Sequence, residues 1–296
     1  MTRIFGSIIL GFGMMFIISC GKKETTPPPL IIIEEEEEEL VEGVDYFLPN
    51  IDLNNWKVTL PIGNPLEIKP PAILDYATNE ILQDFMFNDS INGSLDFYTY
   101  PGASTANSSY SRTELREQMV PGSNTTNWTF AQGGRMKGKL AMGEMSKDEN
   151  GKYHRTMVMQ IHGRLTNEQR DLIGEDDNNA PPVLKIYWFE GSVYVRTKKL
   201  ENVNVSDIDI LYTSAWEDDN GYTFSEKVDF NKFELEVIVS DGRMEVIMNG
   251  ESKVYEDIHM KKWGIFENYF KAGNYLQTKD ENASALIKYY ELVVSH

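Results

Sequence analysis

Cysteine is nearly absent. The chain has one, Cys20, so no disulfide framework can form within it. Histidine is scarce too: His154, His162, His259 and His296 lie far apart, and with a lone cysteine they cannot make the closely spaced Cys/His pairs of a zinc site. Catalysis, if any, is therefore expected to use no metal and no cofactor. Positive charge is in deficit, with 28 Lys and Arg against 46 Asp and Glu and a formal net charge of −18. Nucleic-acid binding draws on an excess of Lys and Arg to displace counterions, so a DNA or RNA partner is not expected. Core-forming material is not lacking. The 296 residues are 41% hydrophobic and 11% aromatic, enough for one domain of ordinary size or at most two.

Long apolar runs are missing except at the start, where Arg3 precedes Ile4 to Ile18 and the run ends at Ser19-Cys20-Gly21. That length is short for a membrane span and has the form of a signal sequence. Ile17-Ile18-Ser19-Cys20 resembles a bacterial lipobox, with Ile17 where leucine is usual. Residues 1–20 read as a lipoprotein signal peptide with Cys20 as the lipidated residue, or as an ordinary signal peptide with an incidental cysteine. The first reading is preferred because the sole cysteine sits where lipidation needs it. Residues 21–43, GKKETTPPPLIIIEEEEEELVEG, combine three prolines with six consecutive glutamates and read as an extended tether. The expectation is an exported monomer, held to the bacterial envelope, the outer membrane being favoured, through its N-terminal lipid only, with residues 44–296 as its folded domain.

From Tyr46 onward, short alternating runs are punctuated by Asn92-Gly93, Asn150-Gly151, Asn220-Gly221, Asp241-Gly242 and Asn249-Gly250, which suggests antiparallel sheets. FELEVIVS-DG-RMEVIMNG predicts a hairpin over 233–249. A second is expected from RMKGKLAMGEM through KDENG to YHRTMVMQIHG, and a third in VLKIYWF-EGS-VYVRTKK. Residues 78–88 are the one place for a short helix. The fold class that follows is all-β, a jelly-roll sandwich of two antiparallel sheets with a concave groove.

Three strands carry reactive groups on one face. In SRTELREQM, alternation puts Arg112, Glu114, Arg116 and Gln118 together, opposite Thr113, Leu115, Glu117 and Met119. In RTMVMQIHG, Met157, Met159 and Ile161 suit the core, while Thr156, Val158, Gln160 and His162 face away. In YFKAGNYLQ, Phe270, Ala272 and Leu276 suit the core, and Lys271, Gly273, Tyr275 and Gln277 face away. Each alone fits a solvated ladder of ion pairs. Their coincidence on strands far apart in sequence points to a shared groove.

These segments resemble the alginate lyases of polysaccharide lyase family 7, whose signatures are R-(S/T)-E-(L/V)-R, Q-(I/V)-H and Y-F-K-A-G-x-Y-x-Q. Here they stand in the same order as residues 112–116, 160–162 and 269–277, with Leu276 where Asn is usual. The likeness runs from about Leu53 to the closing YYELVVSH. It implies a β-jelly roll that cleaves a uronate polymer, alginate or a relative, by β-elimination. Arg112 and Gln160 are then expected to neutralise the uronate carboxylate, with His162 adding a third hydrogen bond if its proton faces the sugar. Tyr275 would protonate the leaving oxygen and take the C5 proton of mannuronate, nearby cations such as Arg112 and Lys271 favouring its phenolate. His162 would be the base for guluronate. Glu114, Arg116, Lys271 and Gln277 are assigned to substrate binding or to orienting Arg112 and Tyr275. Ile161 hints at guluronate-containing blocks.

The acidic segment 164–182 follows His162 and reads either as a solvated loop or as an overhang on the groove; calcium binding by Glu175, Asp176 and Asp177 lacks EF-hand spacing. Competing readings are a lyase for another polyuronate such as glucuronan, a glycoside hydrolase, and a non-catalytic glycan-binding module with a platform built from Trp56, Trp128, Trp188, Trp216 and Trp263. Hydrolysis needs two opposed carboxylates, and Glu114 has no evident mate.

Overall fold

The computed structural model describes residues 47–296. The expected signal peptide, Cys20 and the whole Pro/Glu tether lie outside the described residues. The described chain forms two facing sheets, antiparallel apart from the short strand Asn50–Ile51, which runs parallel to Ala285–Ser295. One sheet has the order Glu251–Tyr255, Arg243–Met248, Phe233–Ser240, Gly134–Met145, Ala285–Ser295, Ser94–Thr99, Met86–Asp89. The other runs Trp216–Asp218, Ser192–Leu200, Asn179–Phe189, Thr156–Arg164, Glu267–Leu276, Arg112–Glu117, Trp56–Leu60, Leu66–Ile68. This is the all-β sandwich that the alternation predicts.

The core lies between the sheets. Leu115, Ile161, Phe270 and Ala272 point inward from the second sheet and meet Met136, Leu140, Val237 and Ile287 from the first. Burying each large apolar side chain contributes about 1.5–3 kcal/mol, so these faces fix which side of each strand points out. On the inner side of Arg112–Glu117, Glu117 is also buried. It accepts hydrogen bonds from Trp128 Nε1 at 3.0 Å and the Phe270 amide at 2.9 Å, and its other oxygen lies 2.6 Å from His296 Nε2.

Two of the three expected hairpins are present. Ser240 pairs with Arg243 across Asp241-Gly242, and Phe189 pairs with Ser192 across Glu190-Gly191. The third expectation is corrected. Gly134–Met145 belongs to the first sheet and Thr156–Arg164 to the second, and the KDENG turn closes only a Lys147–Tyr153 bridge before the chain crosses between sheets. The 78–88 helix shrinks to Glu80–Gln83, capped by the Asn79 side chain accepting from the Ile81 and Leu82 amides, because Met86–Asp89 is drawn into the sheet beside Ser94–Thr99. Segment 164–182 is no plain loop: Asn167–Ile173 is a helix with a Thr166/Gln169 capping box and Gly174 as its left-handed cap.

Register also corrects one alternation. Across from Asn179–Phe189, the strand Thr156–Arg164 carries an extra residue near Val158, and Glu267–Leu276 carries one near Gly273. These bulges turn Val158 into the core and Thr156 toward the buried Asn274, while Met157, expected in the core, is opposed to Tyr275 and Tyr187. Gly273 has φ +131°, and a Cβ there would lie 2.7 Å from the Thr113 carbonyl, so only glycine fits. Tyr289 reaches across from the first sheet and stitches both bulges: its hydroxyl donates to the Val158 carbonyl at 2.5 Å and accepts from the Gly273 amide at 3.2 Å.

Candidate active site

Directly opposed residues on neighbouring antiparallel strands share a face. On the outward face of the second sheet, Lys57 opposes Arg116, Arg116 opposes Lys271, and Lys271 opposes Gln160. Three cations and an amide thus line up across four strands. Beside this row Thr59 opposes Glu114, and on the other side His162 opposes Tyr269.

Glu114 organises the centre. It is 1% exposed and takes hydrogen bonds or ion pairs from Arg112 Nη1 at 3.2 Å, Lys271 Nζ at 2.5 Å and the Gln160 amide. Burial alone would raise its pKa, but the charges of Lys271 and Arg112 and the hydrogen bonds outweigh that and hold it below the ordinary carboxylate value. Lys271 is lowered to about 8, by burial first and then by Arg112, with Glu114 opposing. One buried carboxylate among Arg112, Arg116 and Lys271 leaves the cluster short of negative charge. A second carboxylate would complete it.

His162 is stacked on Tyr269, ring centroids 5.3 Å apart and planes 11° from parallel, and the guanidinium of Arg116 lies 4.0 Å from the centroid of the Tyr269 ring. Nδ1 of His162 is 2.9 Å from the Gly163 carbonyl oxygen. A carbonyl cannot donate, so the proton sits on Nδ1 and Nε2 keeps its lone pair. Burial, and then the positive charge of Lys271, push the imidazole down to about 3, so the ring is neutral at physiological pH. The hydrogen bond from His162 to a uronate carboxylate, conditional on a proton facing the sugar, is not available from a neutral ring held this way.

Tyr275 stands on the other side of Arg112, whose guanidinium carbon lies 3.9 Å from the Tyr275 ring centroid. Its hydroxyl is 2.6 Å from Ser108 Oγ, which donates in turn to the Tyr110 carbonyl at 3.0 Å. Arg112 Nε is buried without a hydrogen-bond partner. A buried donor left unpaired in a cationic cluster is a natural contact for an anionic oxygen.

The resulting cavity, about 290 Å³, is lined by Arg112, Arg116, His162 and Lys271 together with Lys57 and Tyr269. Glu114 and Gln160 lie under its floor. Arg164, paired with Glu267 at 2.6 Å, and Asp177 to Asn179 stand at its margin, so the end of segment 164–182 borders the groove. Asn107 donates to Asp177 at 2.9 Å and ties the two walls together. Tyr275 does not line this cavity and adjoins it through Arg112, and Gln277 is not brought into it either. Its amide donates to the Tyr275 carbonyl, and it borders a separate cavity. Lys57, Thr59, Tyr269, Arg164 and Ser108 were missed in the sequence. Lys57 and Tyr269 could have been found by extending the same alternation through WKVTL and back from Lys271, whereas loop residues such as Ser108 carry no periodic signal.

Among the described residues, no group of three His, Cys, Asp or Glu side chains is placed to hold a metal ion, Glu175 to Asp177 included. All five tryptophans are buried, so the platform of the glycan-binding alternative does not exist.

A family model described as alginate lyase matches residues 51–296. Among solved structures, the chain is similar to a variant of family 7 alginate lyase A1-II′ in complex with substrate (GGMG), at 28% identity and TM-score 0.68, covering 83% of this chain and 94% of that one. It is similar to alginate lyase A1-II′ at 1.0 Å, described as a member of polysaccharide lyase family 7, at 29% identity and TM-score 0.67, covering 83% and 96%. An alginate lyase from Pseudomonas aeruginosa, at 22% identity and TM-score 0.62 over 83% of this chain and all of that one, shares the fold. No curated protein matches the sequence.

Proposed function

The chain belongs to the alginate lyase family, a polysaccharide lyase acting on alginate, and from that premise we propose that it cleaves the polymer by β-elimination with Arg112, Gln160, His162 and Tyr275 around the reacting sugar. The supporting observation is the single cluster in which Glu114 gathers Arg112, Lys271 and Gln160 beside a neutral His162, with Tyr275 packed on Arg112.

The uronate carboxylate opposes removal of the neighbouring C5 proton, because the electron pair spreads onto it. Arg112, through its unpaired Nε, and the Gln160 amide are the donors for that carboxylate, and both favour the charge that grows there in the transition state. His162 Nε2 takes the C5 proton, the C4–C5 double bond forms, and the C4–O bond breaks. Tyr275 gives its proton to the departing oxygen, with Ser108 as its hydrogen-bond partner. For mannuronate, whose C5 proton lies on the leaving-group side, Tyr275 fills both roles. With a lone pair already free on His162, guluronate-containing blocks are the favoured substrate. Ile161 is fully buried in the core and bears on that preference only by fixing its neighbours.

Arg116 and Lys271 bind flanking carboxylates, and Glu114 positions Arg112 and Lys271. Gln277 supports the Tyr275 backbone. Export, lipidation at Cys20, anchoring to the envelope and a monomeric state complete the proposal. Cys20→Ala should abolish labelling by radioactive palmitate and release the protein from membranes, and light scattering should give one chain's mass. The function itself is tested by following ultraviolet absorbance of unsaturated uronate on polymannuronate, polyguluronate and alginate. His162→Asn should lose about 10²- to 10⁴-fold on polyguluronate and Tyr275→Phe a similar factor on both homopolymers. Full turnover in both variants would remove the assignment.

A further inference from the structure

The inner face of the second sheet holds an ion pair that the proposed chemistry does not use. Glu117 Oε1 and His296 Nε2 meet there at 2.6 Å, and Glu117 is 4% exposed. Nδ1 of His296 lies 3.1 Å from the Gly133 carbonyl oxygen, which cannot donate, so that nitrogen carries a proton. Burial lowers the pKa of the ring, but the hydrogen bond and charge of Glu117 and the Gly133 carbonyl outweigh it and raise the value above that of an ordinary histidine. At pH 6.5 and below the ring is then mainly an imidazolium with both protons engaged. A carboxylate on this side, two residues from the fully buried Leu115, carries a desolvation cost that an apolar side chain would not.

The pair sits at a gap in the sheet. The strand Arg112–Glu117 pairs with Glu267–Leu276 from Tyr275 back to Lys271, and Trp128–Thr129 takes over at Asn268 and Glu267. Tyr269 and Phe270 fall between the two and have no strand partner on that side, while Tyr269 opposes His162 on the other. Glu117 Oε2 fills the gap by accepting from the Phe270 amide at 2.9 Å and from Trp128 Nε1 at 3.0 Å. His296 packs on the same two side chains, its ring centroid 5.4 Å from that of Trp128 and 5.8 Å from that of Phe270. The Glu117 carbonyl accepts from Arg116 Nη1 at 2.6 Å, and that guanidinium faces the Tyr269 ring on which His162 is stacked. Lys271, by contrast, is fixed by strands on both sides and by Glu114. Tyr269 therefore depends on Glu117 in a way that Lys271 does not.

We propose that Glu117 and His296 are positioning residues for the base: from the core side they fix Tyr269 and, through its stacked ring, the place and tilt of His162, an inference that rests on the reading of His162 as the base for guluronate. The test combines nuclear magnetic resonance of the four histidine rings, isotope-labelled, with kinetics of His296→Ala and His296→Gln, the second keeping one donor for Glu117. In His296→Ala the ring signals of His162 should shift and kcat on polyguluronate should fall about 10- to 100-fold, while KM, and kcat on polymannuronate, stay within about 2-fold because Tyr275 fills both roles there. His296→Gln should recover part of that kcat. Equal losses on both polymers, which a general loosening of the fold would give, overturn the proposal, as do His162 signals that do not move. Should His296→Ala fail to fold, His296→Gln decides alone: smaller changes in the same direction support the proposal, and wild-type signals and rates overturn it. If the His162 signals move but the unsubstituted chain releases no unsaturated product, the coupling stands and the lyase chemistry falls. If product forms and the signals stay fixed, the lyase chemistry stands and the coupling falls.

Discussion

Glu114→Gln removes one negative charge from the centre of the site while keeping the shape of the side chain. In the native protein that carboxylate compensates Arg112 and Lys271, which are 9% and 6% exposed and so have little access to water. Breaking a buried ion pair from one side costs about 3–5 kcal/mol, because the remaining charge stays desolvated. For a domain of this size each kcal/mol moves Tm by about 2–4 °C, which gives a fall of about 6–20 °C by calorimetry at pH 7. The pH dependence carries the same signature. Glu114 titrates below its unfolded value near 4.3, so its contribution is complete above that pH and is lost as the pH falls. Glu114→Gln should therefore flatten the acid limb of the stability curve. Lys271, no longer supported by the carboxylate, should titrate below about 8. With Arg112 unrestrained, kcat/KM should drop about 10²-fold. Glu114→Gln combined with Lys271→Met should be less destabilising than the two single changes added together. A Glu114→Gln protein within about 2 °C of wild type, with full activity, would refute the claim that this carboxylate organises the site.

Four further outcomes follow from the same geometry. Because His162 is pushed down to about 3 by burial and by Lys271, kcat/KM should show no acid limb near pH 6.5; a limb there that disappears in His162→Asn would contradict the neutral ring. The unfolded chain takes up a proton at His162 below about pH 6.5 that the folded chain refuses, so His162→Asn should also reduce the acid destabilisation measured by urea melts between pH 6.5 and 4. Lys271, lowered to about 8 by burial and Arg112, should lose its charge as the pH rises past that value, and KM for alginate should climb there; a flat KM from pH 7 to 9.5 would show that Lys271 does not bind substrate. Tyr289→Phe leaves the Val158 carbonyl and the Gly273 amide without their buried partner and should cost about 1–3 kcal/mol in urea melts, with no loss expected only if water enters to replace the hydroxyl.

Much of the site was legible in the sequence because strand alternation is a rigid code. Arg112, Glu114 and Arg116 fall on one face because Leu115 must be buried, and Gln160 and His162 follow from Ile161 in the same way. The code fails where its period breaks. The bulge near Val158 exchanges inside and outside for Thr156 to Val158, and no residue in RTMVMQ announces it. Turn chemistry was equally ambiguous. Asp241-Gly242 joins paired strands, whereas Asn150-Gly151 sits in a crossover between sheets, and the difference lies in which long-range partner each strand finds. Gln277 obeyed the alternation and still missed the central cavity, because a shared face places a residue on the groove side without fixing its position along the groove. Ser108, which meets the Tyr275 hydroxyl, comes from a loop whose path is set by tertiary packing alone.

The most direct test of the central claim is the chemical form of the new chain ends. Alginate treated with the purified chain, separated and weighed by mass spectrometry while ultraviolet absorbance is recorded, should yield at every cut one fragment with an ordinary reducing end and one that carries a conjugated C4–C5 double bond at its new non-reducing end and is lighter by one water than its hydrolytic counterpart, with Tyr275→Phe folded but nearly silent and His162→Asn folded but nearly silent on guluronate blocks. Saturated ends of full hydrolytic mass, or undiminished unsaturated product from both variants, would contradict the account.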